Sequence, residues 1–308
     1  MGKEKPDMYD AETYYRIRNQ FDNSLLGRMS HRQRLFIHPF LWHALKFHNR
    51  ISGIKTSLLY DRSTGTDRPK IFAITHIGKY DIEACTPVLK DHYYLLSGDY
   101  EHIYGSVEEK LLGFNGVVFV KKDDQQDRRL SKEKMIGVLR QGGNLMYFPE
   151  GAWNLSENLP LLQCPYGIID VAMRGGAEII PVGIEQYDKK FIIAIGENFS
   201  VAPYAQTELL TAISDLRDTM ATLKWDIWSY ASEEKTIETP DREQFAQQVE
   251  KKLEEWTASA EFFERAIFKP RTITSERDAY SFFKKLPVNR RTAFLARWKK
   301  KYMERYAN

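Results

Sequence analysis

Short apolar runs recur through the middle of the chain: Ile71–Ile74, Val117–Val120, Leu145–Phe148, Ile179–Ile184 and Phe191–Ile195. Runs of this length bounded by turn residues predict buried strands. Helical patterns alternate with them. One spans Arg129 to Gln141 and stops at Gly142-Gly143; another spans Gly167 to Arg174 and stops at Gly175-Gly176. Glycine ends a helix there because it takes the left-handed turn that other residues resist. Strands alternating with helices predict an α/β fold with a largely parallel central sheet flanked by helices. The two ends read differently. Tyr14, Ile17, Phe21 and Leu25 stand at helical spacing, and a second helix is expected after Pro39. Thr207–Tyr230 and Asp241–Phe268 are helical in period, parted by a polar stretch ending at Pro240. Three zones follow: a helical N-terminal addition over residues 1–60, a core over 61–204, and a helical C-terminal region over 205–308.

Composition agrees with a sizeable buried core, since 43% of the 308 residues are hydrophobic and 13% aromatic. Cys85 and Cys164 are too few and too far apart for a disulfide framework or a zinc site. They suggest a reducing compartment, and each reads better as a small buried apolar residue than as a thiol nucleophile. No apolar run is long enough to span a bilayer, and the N-terminus lacks a signal-peptide core, so the expectation is a cytoplasmic protein.

Candidate chemistry lies where two of the strands run out. His76 follows Ile71–Ile74, with Asp81 five residues on; Glu150 and Gly151 follow Leu145–Phe148. Open α/β folds place their chemistry at such strand ends. On one continuous helix His76 and Asp81 would stand about 140° apart, so they meet only if a turn at His76 bends into a helix starting near Asp81. A carboxylate on imidazole Nδ1–H would then leave Nε2 free as a base for a hydroxyl. Taken alone, a His beside an Asp is more often a cap or a surface pair.

Four blocks in order carry more weight. His76-x4-Asp81, Gly116–Lys122, Phe148-Pro149-Glu150-Gly151 and Ile179–Val182 together resemble the consecutive motifs of the glycerophospholipid acyltransferase family, which includes the 1-acyl-glycerol-3-phosphate acyltransferases. That resemblance spans roughly residues 70 to 200. It implies that His76 is the general base, Asp81 its orienting partner, and that the acceptor hydroxyl attacks a thioester directly. It implies that Glu150 and Gly151 shape the acceptor site and that Pro181 faces the acyl chain. The donor would be acyl-CoA or acyl carrier protein as co-substrate and the acceptor a lysolipid, with no metal and no further cofactor. Glu150 has a second reading as a cap for the turn before Ala152-Trp153-Asn154.

The chain departs from the family pattern at two places. Ala152-Trp153-Asn154 stand where a hydroxyl residue and an arginine usually follow the glutamate-glycine turn, and Lys122 replaces the usual arginine of the second motif. Lysine offers phosphate a point charge rather than a bidentate fork. Lys121, Lys122 and Arg128 could supply positive charge from another side, although Asp123, Asp124 and Asp127 lie among them and a solvated charged loop is the other reading. Trp153 could pack against a less charged acceptor. Two readings from other classes stay open: a thioesterase-like hydrolase using water at the same dyad, and a non-catalytic lipid-binding protein.

Charge is distributed unevenly. Residues 23–60 contain no Asp or Glu, while Arg28, Arg32, Arg34, Lys46, Arg50 and Lys55 are interleaved with Phe36, Phe40, Trp42 and Phe47. Leu41, Ala44, Leu45, His48 and Ile51 fall at helical spacing, which favours an apolar face lying on an anionic membrane surface, with packing on the catalytic core as the other reading. Near the C-terminus Phe294, Trp298, Tyr302 and Tyr306 form a second stripe among basic residues, and either membrane contact or packing on the core suits it. No recognition module accompanies the basic patches, so nucleic acid is not expected as a partner.

Overall fold

The computed structural model describes residues 11–97, 113–121, 124–156, 159–234, 240–255, 281–290 and 292–306. Contacts divide the chain into two compact units, residues 1–267 and 268–308.

In the first unit helices α1 (Ala11–Asn23), α2 (Leu25–Arg28) and α3 (His31–Ser52) precede strands β1 (Lys55–Asp61) and β2 (Lys70–Ile74). Then come α4 (Asp81–Leu89), β3 (Tyr94–Ser97), β4 (Val117–Phe119), α5 (Gln125–Arg140), β5 (Leu145–Tyr147) and α6 (Gly167–Gly175). Strands β6 (Glu178–Tyr187) and β7 (Lys190–Ile195) and helices α7 (Leu209–Glu233) and α8 (Arg242–Glu255) follow. The seven strands form one sheet in the order β1-β7-β6-β2-β5-β3-β4. Five neighbours from β6 to β4 run parallel, and β7 turns back antiparallel on β6 with β1 parallel to it. The α/β class and the largely parallel sheet are as the periodicity predicts.

Side chains alternate across this sheet and both faces are covered, which is why the interiors of its central strands, such as Ile71–Ile74 and Ile179–Ile184, are apolar at successive positions. On β2, Ile71 and Ala73 pack with the residues of α5, α6 and α7, while Phe72 and Ile74 pack on the opposite face with those of α3 and α4. Each fully buried Ile or Phe contributes about 1.5–3 kcal/mol by leaving water. A strand sandwiched in this way is a rigid base for the turn at its end.

The N-terminal zone differs from its prediction in two respects. Residues 55–61 are strand, not helix: Thr56, Ser57 and Asp61 interrupt the apolar run of an edge strand with one partner. Helix α3 also begins eight residues before Pro39 and continues through it. Ser30 and Gln33 form a capping box that starts the helix at His31. Pro39 sits on the exposed side, where its missing N–H leaves a carbonyl open to water.

The face of α3 that docks is centred on Arg34, His38, Leu41, Leu45 and Asn49, all buried. Arg34 donates to the carbonyls of Gly113 at 3.1 Å and Phe114 at 3.0 Å, and also to that of Leu26. His38 bridges Asn115 Oδ1 at 2.8 Å and the Lys90 carbonyl at 3.0 Å. Asn49 donates to the Glu83 carbonyl at 2.8 Å. Leu41 and Leu45, expected on a membrane, are therefore core residues, and Arg34 is a buried tie. Phe36, Phe40, Phe47 and Ile51 stand outward instead, at 66–76% exposure. At 100° per residue these four fall within about 60° of arc, opposite the docked face.

Helix α5 starts four residues earlier than predicted, because Asp124 caps it by accepting from the Asp127 N–H at 3.0 Å. Asp127 is fully buried, ion-paired with Arg18, and accepts from the Lys121 N–H at 2.6 Å. From Asp124 onward the charged stretch is a capped helix start rather than a loop. The part of the predicted Asp241–Phe268 helix beyond Glu255 lies outside the described residues.

Candidate active site

Strands β2 and β5 are parallel neighbours in register, Ala73 opposite Tyr147. Their C-terminal ends therefore deliver His76 and the Phe148–Glu150 turn to the same edge of the sheet. After β2 the chain turns through Gly78 and enters α4 at Asp81, the bend that the five-residue spacing requires.

Asp81 is fully buried and its Oδ2 accepts three hydrogen bonds: from the Ile77 N–H at 2.7 Å, the Gly78 N–H at 3.0 Å, and His76 Nδ1 at 2.8 Å. The two backbone donors fix the carboxylate, and the carboxylate fixes the ring. With Nδ1–H donating to Asp81, Nε2 carries the lone pair. The His76 side chain is 20% exposed, so a reactant can approach it. Its ring stacks on Phe148, centroids 4.1 Å apart, and meets Trp153 edge-on at 6.2 Å. Two aromatic walls and one carboxylate thus set its orientation.

The second turn grips the first through the backbone. Glu150 Oε1 accepts from the His76 N–H at 2.9 Å, and Oε2 accepts from the Leu162 N–H at 2.8 Å. The Asn154 N–H donates to the His76 carbonyl at 2.6 Å. Gly151 allows the hairpin bend with φ of 67°, a left-handed value that favours glycine. Glu150 is 7% exposed and holds both oxygens on backbone N–H groups, the arrangement of a residue that braces the two turns against each other.

Burial pushes the Glu150 carboxyl up to about 7, against the opposing pull of its two N–H donors and of Lys224, with Asp81 adding a smaller upward push. Between the ordinary value of 4.5 and about 7, the folded state holds a proton that the unfolded state has released. Stability is therefore fullest below that window and falls as pH rises through it, by on the order of 3 kcal/mol. Denaturant midpoints across pH 4.5–7 should decline in the wild type, and Glu150→Gln should flatten that decline. Parallel curves for the two proteins would remove Glu150 as the cause.

The remaining predicted site residues are scattered. Lys121 follows β4, three strand spacings from β2, or about 14 Å along the same edge. Arg128 is exposed on α5, and Lys122 lies outside the described residues. Pro181 is buried inside β6, opposite Ala73, and not at the edge with His76. It sits where β6 changes partner on its β7 side, between the ladder from Val182 and the bridge of Ile179 with Phe199, so its lack of an N–H is tolerated.

Three contributors escaped sequence reasoning. The sequence places Phe148 at a strand end and in a motif but does not signal its stacking on His76, and it marks Asn154 only as a departure from a motif. Lys252 on α8 donates to the Ile77 carbonyl at 2.9 Å, across 175 residues of sequence. No local pattern could have signalled that contact. Cys85 and Cys164 are buried, and burial pushes both thiols up, Cys164 to about 12, so neither is a ready nucleophile. Among the described residues no group of three His, Cys, Asp or Glu is placed to hold a metal ion.

Residues 55–185 match the family model described as Acyltransferase, a span that holds both turns and all four ordered motifs. Over that span, about two fifths of its length, the chain is similar to the acyltransferase family. The match supports an acyltransferase activity. A comparison with curated proteins gives no match. Among solved structures, the chain is similar to the 1-acyl-sn-glycerophosphate (LPA) acyltransferase PlsC from Thermotoga maritima, at 14% identity over 69% of this chain and 89% of that one, with a TM-score of 0.49.

Proposed function

We propose that this acyltransferase moves a fatty acyl group from acyl-CoA or acyl carrier protein to the hydroxyl of a lysolipid, 1-acyl-glycerol-3-phosphate foremost. The observation that carries the reading is the 2.8 Å bond from His76 Nδ1 to a buried Asp81, which leaves Nε2 as the base. Nε2 takes the hydroxyl proton as the alcohol oxygen attacks the thioester carbonyl carbon. The tetrahedral intermediate collapses with cleavage of the C–S bond, and the imidazolium returns its proton to the departing sulfur. Asp81 stabilises the imidazolium between these steps. No acyl-enzyme is needed.

Lys121 and Arg128 are the described cations assigned to an acceptor phosphate, with Lys122 beside them in sequence. Trp153, edge-on to His76, lines the approach of the acceptor chain. The outward Phe36, Phe40, Phe47 and Ile51, in a stretch without acids, support seating on the cytoplasmic face of an anionic membrane. No described helix is long and apolar enough to cross one. Changing Phe36 and Phe40 to Ser should weaken binding to anionic vesicles by tenfold or more while leaving turnover of detergent-dispersed acceptor unchanged; unchanged vesicle binding would refute this seat.

Labelled acyl donor offered with a panel of lysolipids tests the function. Transfer is expected only when a lipid hydroxyl is present. Free acid released from donor alone would favour a thioesterase, and lipid binding without turnover of any donor would favour a non-catalytic lipid binder. Lys121→Ala should raise KM for a phosphate-bearing acceptor and leave KM for a neutral one unchanged; equal KM shifts would remove Lys121 from phosphate recognition.

A further inference from the structure

Residues 281–308 carry nine Lys or Arg against the single acid Glu304, a net charge of +8. Since the whole chain is +3, the other 280 residues together are −5. The positive charge of this protein is thus concentrated in its second compact unit, residues 268–308.

That unit has a small aromatic centre of its own. A 3-10 turn over Ser281–Lys284 places Phe283 against Tyr302 of helix α9 (Ala296–Tyr306), ring centroids 5.9 Å apart, and both rings are buried. Lys299 Nζ donates to the Leu286 carbonyl, which ties the helix to the segment before it. Tyr302 is accordingly an internal residue of the unit, while Phe294 and Trp298 of the predicted stripe face outward at 76% and 60% exposure. Phe282 and Val288 are exposed as well.

Helix α9 sorts these groups by angle. Arg297, Lys301, Arg305 and Trp298 are all exposed and fall within about 100° of arc. Lys301 lies over the Trp298 ring at 5.6 Å. An exposed indole bordered by long cationic side chains, with Phe294 on the turn just before it, matches a bilayer interface: rings enter the headgroup layer while the cations reach anionic phosphates. A nucleic acid would be met by the cations alone, with no use for the exposed Val288 and Phe294.

We propose that residues 281–306 form a separate docking unit for anionic lipid surfaces, additional to the outward face of α3 and independent of which acceptor the active site uses.

The test is co-sedimentation of the full chain with phosphatidylcholine vesicles, with and without phosphatidylglycerol. Binding should appear with the anionic lipid and weaken with salt. Replacing Arg297, Lys301 and Arg305 together by Ala should lower partitioning by about a hundredfold, near fivefold per cation. Trp298→Ala should lower it several-fold, and Arg297→Lys with Arg305→Lys should retain it. Turnover of detergent-dispersed acceptor should be unchanged in all of these variants. Vesicle binding that survives the triple change would overturn the proposal. So would equal binding to neutral vesicles, or displacement of the protein from vesicles by duplex DNA with no effect of Trp298→Ala.

Discussion

Replacing His76 by Ala should lower acyl transfer by about 10²–10⁴-fold, the range that a positioned general base supplies, while the unfolding midpoint stays close to that of the wild type. Among the described residues the ring makes one polar contact, to Asp81, and it rests on Phe148 at the edge of the core, so its loss removes little buried apolar area. Both backbone groups of residue 76 keep their partners in the variant, because Glu150 and Asn154 bond the main chain and not the ring. Initial rates with saturating donor, set beside thermal unfolding, separate a lost base from a lost fold. A variant that folds and turns over at more than a tenth of the wild-type rate would end the base assignment.

Asp81 should be less forgiving. In Asp81→Asn the amide can accept through its oxygen or donate through its nitrogen, but a single oxygen no longer serves Ile77, Gly78 and His76 as a carboxylate does. An amide N–H aimed at Nδ1 would place the imidazole proton on Nε2, which is the wrong tautomer for a base. The expected loss of rate is about 10²–10⁴-fold, with kcat falling more than KM rises. Asp81→Ala leaves two buried backbone N–H groups without an acceptor and should cost about 3 kcal/mol of stability as well. The two variants together divide the residue's roles: Asn tests tautomer and charge in a largely intact turn, and Ala tests the turn. An Asn variant with normal kcat would show that the ring is oriented by Phe148 and Trp153 alone.

Much of this site could be read from the chain because its parts are local. His76 and Asp81 lie five residues apart on one turn, and the apolar runs before His76 and Glu150 mark strands that can only be buried. What they could not convey was which strands adjoin. Order β2-β5 brings the two turns together, whereas β4 carries Lys121 three places away. The edge strand β1 mixes Thr56, Ser57 and Asp61 with its apolar residues, so periodicity passed over it, and it also passed over the short run Tyr93–Leu96 that leads into β3. In α3 the hydrophobic positions outnumber those that one face can bury, and pattern alone chose Leu41 and Leu45 for the outside. The buried Arg34 and His38 decide otherwise, and their carbonyl and amide partners come from segments 52 to 80 residues distant. Glu150 was ambiguous for a related reason: a carboxylate serving two backbone N–H groups looks, in sequence, like one serving a substrate.

The main-chain clasp on His76 bears on attempts to move this chemistry elsewhere. Copying the segment His76–Asp81 onto a foreign strand would transplant the imidazole and its carboxylate without the residues that hold the peptide on either side of the ring. A working graft would need a neighbouring parallel strand feeding Phe148–Asn154, plus an equivalent of the Leu162 amide to anchor the far oxygen of Glu150. The smallest portable catalyst in this fold is therefore two adjacent strands with both their loops.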